Sequence, residues 1–232
     1  MLREIISYLI TPAPGWARKY GLLKESIAIE ARYKRNKKAW GPHLEKTKAF
    51  IRQYTLSSPK KNRVAILGSG GLLDVPLPDL AGHFEEVLLV DAIHPRKARR
   101  FARQFPNVRF IECDLSSPDP GTVIFPALYV VVSCNLLSQL PLPFAQSQRH
   151  HIIVTHLQWL KMLAPRALLI CETRQTLLTH DHQFVEDFDM LGGLTPSDPL
   201  QEWIWTMAPK GELKSGLILQ GHVSAFLFDK KQ

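Results

Sequence analysis

Val64-Ala65-Ile66-Leu67-Gly68-Ser69-Gly70-Gly71 joins four apolar residues to a glycine-rich turn. A short unbroken apolar run is what a strand buried on both faces requires. Glycines directly after such a strand permit a tight turn and let a ligand approach the backbone closely. Gly68 and Gly70 supply a G-x-G core, while the third glycine of a dinucleotide fingerprint would fall at Leu73 and is missing. By itself the turn also fits a plain strand-to-helix connection.

Downstream, apolar runs alternate with helical patterns. Arg63–Leu67, Val87–Val90, Val108–Ile111, Ala127–Ser133 and Ala167–Cys171 predict strands. Pro95–Phe105 and Gln146–Leu163 predict helices, the second with Ile152, Ile153, Leu157, Leu160 and Leu163 on one side. Such alternation implies an α/β fold, a mostly parallel, doubly wound sheet with helices on both faces. At the end, Glu202–Met207 and Leu217–Phe228 predict a closing hairpin with one strand antiparallel to the rest. Asp91 closes the second strand, 23 residues after Gly68, where a carboxylate can accept both hydroxyl hydrogens of a ribose. Asp114 follows the third strand, near where an adenine would sit. Either acid also fits a cap or turn, and Ser116-Ser117-Pro118-Asp119-Pro120 favours a turn at Asp114. Together the glycines and both acids fall at the carboxyl ends of three successive strands, where open α/β sheets bind ligands.

Upstream lies a different kind of sequence. Met1–Ile10 reads as a short amphipathic helix, and Pro12, Pro14 and Gly15 break it. Trp16–Lys38 predicts a helix, Gly41-Pro42 a break, His43–Tyr54 a second helix and Ser57–Asn62 a linker. This front holds fifteen Lys and Arg against four Asp and Glu up to residue 63, a net +11. The remaining residues carry −3, so the whole-chain charge of +8 belongs to the front. The expected organisation is a basic helical extension, 1–62, and a sheet domain, 63–232. A basic stretch favours anionic partners without saying anything of fold.

Composition agrees with one globular domain plus an appendage: 232 residues, 45% hydrophobic and 22% charged. Disordered, collagenous and coiled-coil chains are excluded. Cys113, Cys134 and Cys171 are far apart and form no C-x-x-C pair, so neither a disulfide framework nor a metal site is expected. The reading is of a reduced, cytoplasmic protein with no signal-peptide layout and no membrane span.

With these residues in view, the chain resembles the class I S-adenosylmethionine-dependent methyltransferases over residues 63–228. Val64–Gly71 looks like their first motif, Leu88-Leu89-Val90-Asp91 the second, Phe110–Leu115 the third, and Val130–Leu140 the fourth-strand motif. The terminal hairpin is similar to the family's antiparallel seventh strand. The resemblance implies a seven-stranded sheet and S-adenosylmethionine as cofactor. It implies a cofactor site of Gly68, Ser69, Gly70, Asp91, Ala92, Asp114, Leu115, Ser133, Cys134 and Asn135. In that scheme Asp91 holds the ribose, Asp114 lies near the adenine, and the backbone of Ser133–Asn135 faces the methionine end. The family's usual acid two residues before the first glycine is here Ile66, and Leu72 stands where a further glycine is often found. Asp74 can replace that acid or cap the next turn.

The acceptor is not named by these motifs. Ser133-Cys134-Asn135-Leu136 lacks the two prolines and aromatic of enzymes that methylate exocyclic base nitrogens. Cys134 lacks the Pro-Cys context of base-carbon methylation and reads as a small packed group. His151 in the predicted helix, and His180 and His182 beyond the fifth strand, are base candidates, since imidazole takes protons near neutral pH. Each also fits a solvated surface histidine. Glu172, Arg174 and Trp205 are further candidates for the acceptor pocket. A small-molecule acceptor is the first expectation. RNA, or another anion on the basic helices, is the second, with Tyr33 and Trp40 as stacking groups. Two other functions stay open: a nicotinamide-dependent oxidoreductase, and a non-catalytic RNA-binding or assembly protein on a methyltransferase scaffold.

Overall fold

The computed structural model describes residues 2–57, 62–116 and 125–230. Most of the expected linker Ser57–Asn62, and Ser117-Pro118-Asp119-Pro120, fall outside them. Five strands run parallel: β1 (Arg63–Leu67), β2 (Glu86–Asp91), β3 (Val108–Glu112), β4 (Val130–Cys134) and the start of β5 (Arg166–Leu178). The sheet order is β3-β2-β1-β4-β5-β8-β7, where β7 is Gln201–Ala208 and β8 is Ile218–Asp229. β8 is antiparallel to both β5 and β7, as the terminal hairpin pattern implied.

Alternation along β1 builds two cores. Val64 and Ile66 face a layer with Val132, Leu168, Trp203 and Val223, while Ala65 and Leu67 face Val131, Leu169 and Phe226. The second layer is closed by α6 (Gln146–Leu163) through Ile153, Trp159 and Leu160. The first is closed by α4 (Leu77–His83) and by the long α3 (Leu22–Thr55), whose Trp40, Leu44, Phe50 and Ile51 are members of that core. The basic front is therefore packed onto the sheet rather than set beside it.

Three boundaries differ from expectation. The predicted Trp16–Lys38 helix is split into α2 (Gly15–Lys19) and α3 by Gly21, whose φ of +74° ends the first helix. Gly41-Pro42 does not end α3. The helix runs through Pro42, and its kink lies six residues earlier, at Asn36 (φ −106°, ψ 21°). The sheet has eight strands, not seven. β5 runs eight residues past the end of β4, and β6 (Phe184–Asp189) fills the edge so exposed, antiparallel to β5. All of β6 is exposed, so it carries no core pattern by which sequence could reveal it. The remaining helices are α1 (Leu2–Ile10) and α5 (Arg96–Ala102). Among the described residues no helix is long and apolar enough to cross a membrane.

Candidate functional site

Register brings the carboxyl ends of β1, β2 and β4 together, with Leu67 opposite Val90 on one side and Ser133 on the other. The glycine turn leaves β1 there, tied down by Gly68 N–H donating to Val90 O at 2.9 Å. Gly68 has φ +80°, and a Cβ on it would lie 2.7 Å from Cys134 O and 3.0 Å from Leu136 Cβ. Only glycine fits against the β4 end at that distance. Leu72 N–H donates to Ser69 O at 2.9 Å, closing the turn, and Leu72 adopts φ +60°. The left-handed conformation that a glycine takes without strain is thus kept although the residue is leucine.

Asp91, at the end of β2, is held from two sides. Its Oδ2 accepts Gly70 N–H at 2.8 Å and its Oδ1 accepts Ile93 N–H at 3.2 Å. Each oxygen keeps a further lone pair for a ligand donor. Burial pushes the Asp91 carboxyl up to about 6, against the pull of those backbone hydrogen bonds. Ala92 and Ile93 follow directly and pack against α2 and the start of α3 through Trp16, Ala17 and Leu23. Asp114 is half-buried. Its Oδ1 accepts both N–H and O–H of Ser116, at 3.0 and 2.5 Å, the turn-capping role its neighbours suggested. Leu115 packs against the α6-side core.

Ser69 and Ser133 contribute backbone only, because their hydroxyls are turned inward. Ser69 Oγ lies 3.1 Å from His94 Nε2 and Ser133 Oγ 3.0 Å from His156 Nε2. Both histidines are buried, which lowers them to about 3 and about 4, so they are neutral partners. Cys134 is buried and its thiol is pushed well above its ordinary value by burial and by nearby Asp74, so it stays protonated. Asn135 takes φ +49°, and its side-chain amide lies 2.7 Å from Asp74 Oδ2. Asp74 thus links the turn after β1 to the turn after β4. Burial raises its carboxyl also.

The base candidates are exposed side chains. His151 is exposed at the start of α6, and His180 and His182 lie exposed in the β5–β6 turn, where His180 pairs with Asp181 at 2.9 Å. Arg174 is bound to Asp187 and to His222 Nδ1. Glu172 is different. It is buried, it lies two residues beyond the pairing of Cys134 with Ile170, and Gln175 donates to its Oε2 at 2.7 Å. Burial raises its carboxyl.

One participant escaped the sequence reading. His43, on α3, stacks on Trp205 at 4.1 Å, accepts the Trp203 indole N–H at 3.0 Å and lies 3.3 Å from Asn135 Nδ2. Its signal was the buried stripe Asn36, Trp40, His43, Leu44, Thr47, Phe50, Ile51 and Thr55, spaced three and four apart. Half of that stripe is polar, so it does not read as a core face.

A β-sheet in this order, with a glycine turn on its first strand and an acid on its second, can be set beside solved structures. The 1,6-didemethyltoxoflavin-N1-methyltransferase of Burkholderia thailandensis, with bound 1,6-didemethyltoxoflavin and S-adenosylhomocysteine, superposes over 92% of this chain and 90% of that one. The TM-score is 0.50 at 15% identity. The chain has the class I methyltransferase fold. An rRNA methylase from Streptococcus thermophilus superposes less well, with a TM-score of 0.41 at 12% identity over 78% of this chain and 96% of that one. No family model matches the sequence, and no curated protein matches it. In the class I methyltransferase fold the crevice at β1, β2 and β4 is the ligand-facing end of the sheet, and there Gly68, Gly70 and Asp91 converge.

Proposed function

We infer that the chain is a methyltransferase that uses S-adenosylmethionine and acts on a small-molecule acceptor. The observation that carries this reading is the Gly68–Gly70 turn, pressed against the β4 end and bonded to Asp91. Gly68 lets the turn press against the β4 end, a Cβ on Gly70 would lie 3.5 Å from Asp91 Oδ2, and Asp91 offers lone pairs to ribose hydroxyls. Backbone atoms of Cys134 and Asn135 border the other end. The cofactor, when bound, supplies an activated methyl group, and the chain's part is to place an acceptor in line with it and exclude water. A small acceptor is supported by α2 and the start of α3, which pack against Ala92 and Ile93, the residues directly after Asp91. The relative from Burkholderia acts on a small heteroaromatic molecule, as its name states.

Two other readings are less well supported. A nicotinamide oxidoreductase on a dinucleotide-binding sheet would have the order 3-2-1-4-5-6, all parallel, whereas β8 is antiparallel and lies between β5 and β7. For RNA, many of the front's cations are already paired: Arg32 with Glu25, Lys34 with Glu30, Arg35 with Glu212, Lys48 with Glu45 and Arg52 with Asp79.

Calorimetry with S-adenosylmethionine tests the proposal. The full chain is expected to bind at neutral pH, and Asp91→Ala to bind about a hundredfold more weakly, the loss of two charge-assisted hydrogen bonds at roughly 1.5 kcal/mol each. A wild-type chain that binds no cofactor would end the methyltransferase reading. Affinity is also expected to depend on pH. The ribose needs the Asp91 carboxylate, so the association constant should fall about tenfold for each unit below pH 6 and level off above pH 7. Stability moves the other way for this group. A raised carboxyl holds its proton in the fold, so its contribution to stability is fully present below the ordinary value of 3.8 and is lost as the pH rises to about 6, with no further change above. Asp91→Asn should bind weakly with no pH dependence in this range.

A further inference from the structure

His43 lies on α3, outside the sheet, yet it is 1% exposed and aimed at the residue after β4. Its Nδ1 accepts the Trp203 indole hydrogen at 3.0 Å. A neutral imidazole has one N–H, so with Nδ1 accepting, the hydrogen is on Nε2. Burial lowers His43 to about 3, so the ring is neutral at any working pH. Stacking on Trp205, with planes 9° apart, fixes the direction in which Nε2 points.

That direction is the Asn135 side-chain amide, at 3.3 Å. An N–H aimed at the amide needs its oxygen, and Asn135 Oδ1 is buried without a hydrogen-bond partner. A half-turn of the amide brings oxygen to Nε2–H and removes the meeting of two donors. Asp74 Oδ2, 2.7 Å away, then faces that oxygen, a contact that requires the proton on Asp74, whose carboxyl is raised by burial. The amino group then takes the buried place in which Oδ1 had no partner.

Why this matters to the crevice is a question of wall position. Asn135 sits between Cys134 and Leu136, the two residues a Cβ on Gly68 would strike. It also holds a left-handed backbone, φ +49°, a conformation that asparagine tolerates better than most non-glycine residues. We propose that His43 is a positioning residue of the crevice: through Nε2–H it holds the Asn135 side chain, and with it the β4 wall against the glycine turn. It touches neither cofactor nor acceptor in this role. The proposal rests on the methyltransferase reading, since its readout is cofactor affinity.

The experiment compares His43→Gln with His43→Asn in the full chain. Glutamine reaches the place of Nε2, while asparagine reaches only the place of Nδ1. Both lose the ring that stacks on Trp205, so both should lose thermal stability to a similar extent. Calorimetry with S-adenosylhomocysteine is expected to give His43→Gln within about threefold of wild type and His43→Asn about tenfold weaker. Asn135→Ala should show the same tenfold loss, and the double variant His43→Asn, Asn135→Ala no further loss, because the two act as one unit. Equal affinities for the two His43 variants, an affinity that tracks melting temperature, or additive losses would each overturn the positioning role. A wild-type chain that fails to bind S-adenosylhomocysteine refutes the cofactor reading instead, and takes this inference with it.

Discussion

Residues 63–232 expressed alone are expected to show no cooperative thermal transition. Phe50 and Ile51 of α3 are fully buried, and Trp40 and Leu44 nearly so, against β7, β8 and the first core layer. Burial of such side chains stabilises by about 1.5–3 kcal/mol each, so the four contribute roughly 6–12 kcal/mol. That is the size of a whole domain's stability, about 5–15 kcal/mol. The truncation would also expose Trp203 and Trp205 and strip Trp203 of its partner on His43. Removal of residues 1–10 alone makes the contrast. Ile6, Leu9 and Ile10 of α1 are exposed, and their loss should shift the melting temperature by only a few degrees. Circular dichroism on both truncations decides the matter, and a folded, cofactor-binding 63–232 fragment would refute it. The charge split alone, +11 against −3, makes the front look separable from the sheet domain. Packing of α3 into the first core gives the opposite expectation.

What made the sheet legible is that β1, β2, β4 and the first half of β5 are buried on both faces and read as unbroken apolar runs. The carboxyl-end acids were legible for a related reason. Asp91 interrupts an apolar run at the point where the strand leaves the core. Asp114 was equally visible, and the structure gives it a turn-capping partner that its serines had announced. Other features left no trace in the pattern. β6 buries nothing, so no alternation marks it. His43, His94 and His156 are each isolated in sequence. Each becomes a neutral buried partner only because tertiary contacts bring Trp203, Ser69 or Ser133 to it. The departures from the family's glycine pattern turn out to be local. Leu72 keeps φ +60° without being glycine, at a cost of about 1 kcal/mol or more, and Asp74 meets Asn135 across the crevice from the position where Ile66 lacks an acid.

Gly68→Ala is expected to abolish measurable cofactor binding and to destabilise the chain by about 3 kcal/mol. Two costs combine. The left-handed backbone at φ +80° disfavours any side chain by roughly 1–2 kcal/mol. The new methyl group would also lie 2.7 Å from Cys134 O, a backbone atom in the central strand β4 that cannot swing aside like the end of a flexible side chain. Relief requires the glycine turn and the β4 end to separate. Separation pulls Gly68 N–H off Val90 O and Gly70 N–H off Asp91, the bonds that hold the proposed ribose-binding acid in place. Gly71→Ala is the control, since a Cβ there meets nothing closer than Leu73 Cγ at 3.8 Å and its φ is not in the left-handed region. That variant should melt within a few degrees of wild type and keep its affinity within severalfold. If Gly68→Ala and Gly71→Ala bound S-adenosylmethionine equally well, the close approach of the turn to β4 would not be what shapes the crevice. A selective loss at Gly68 ties the close approach of the glycine turn to β4 to the placing of Asp91, because the turn that Gly68 seats also carries the Gly70 N–H that Asp91 accepts.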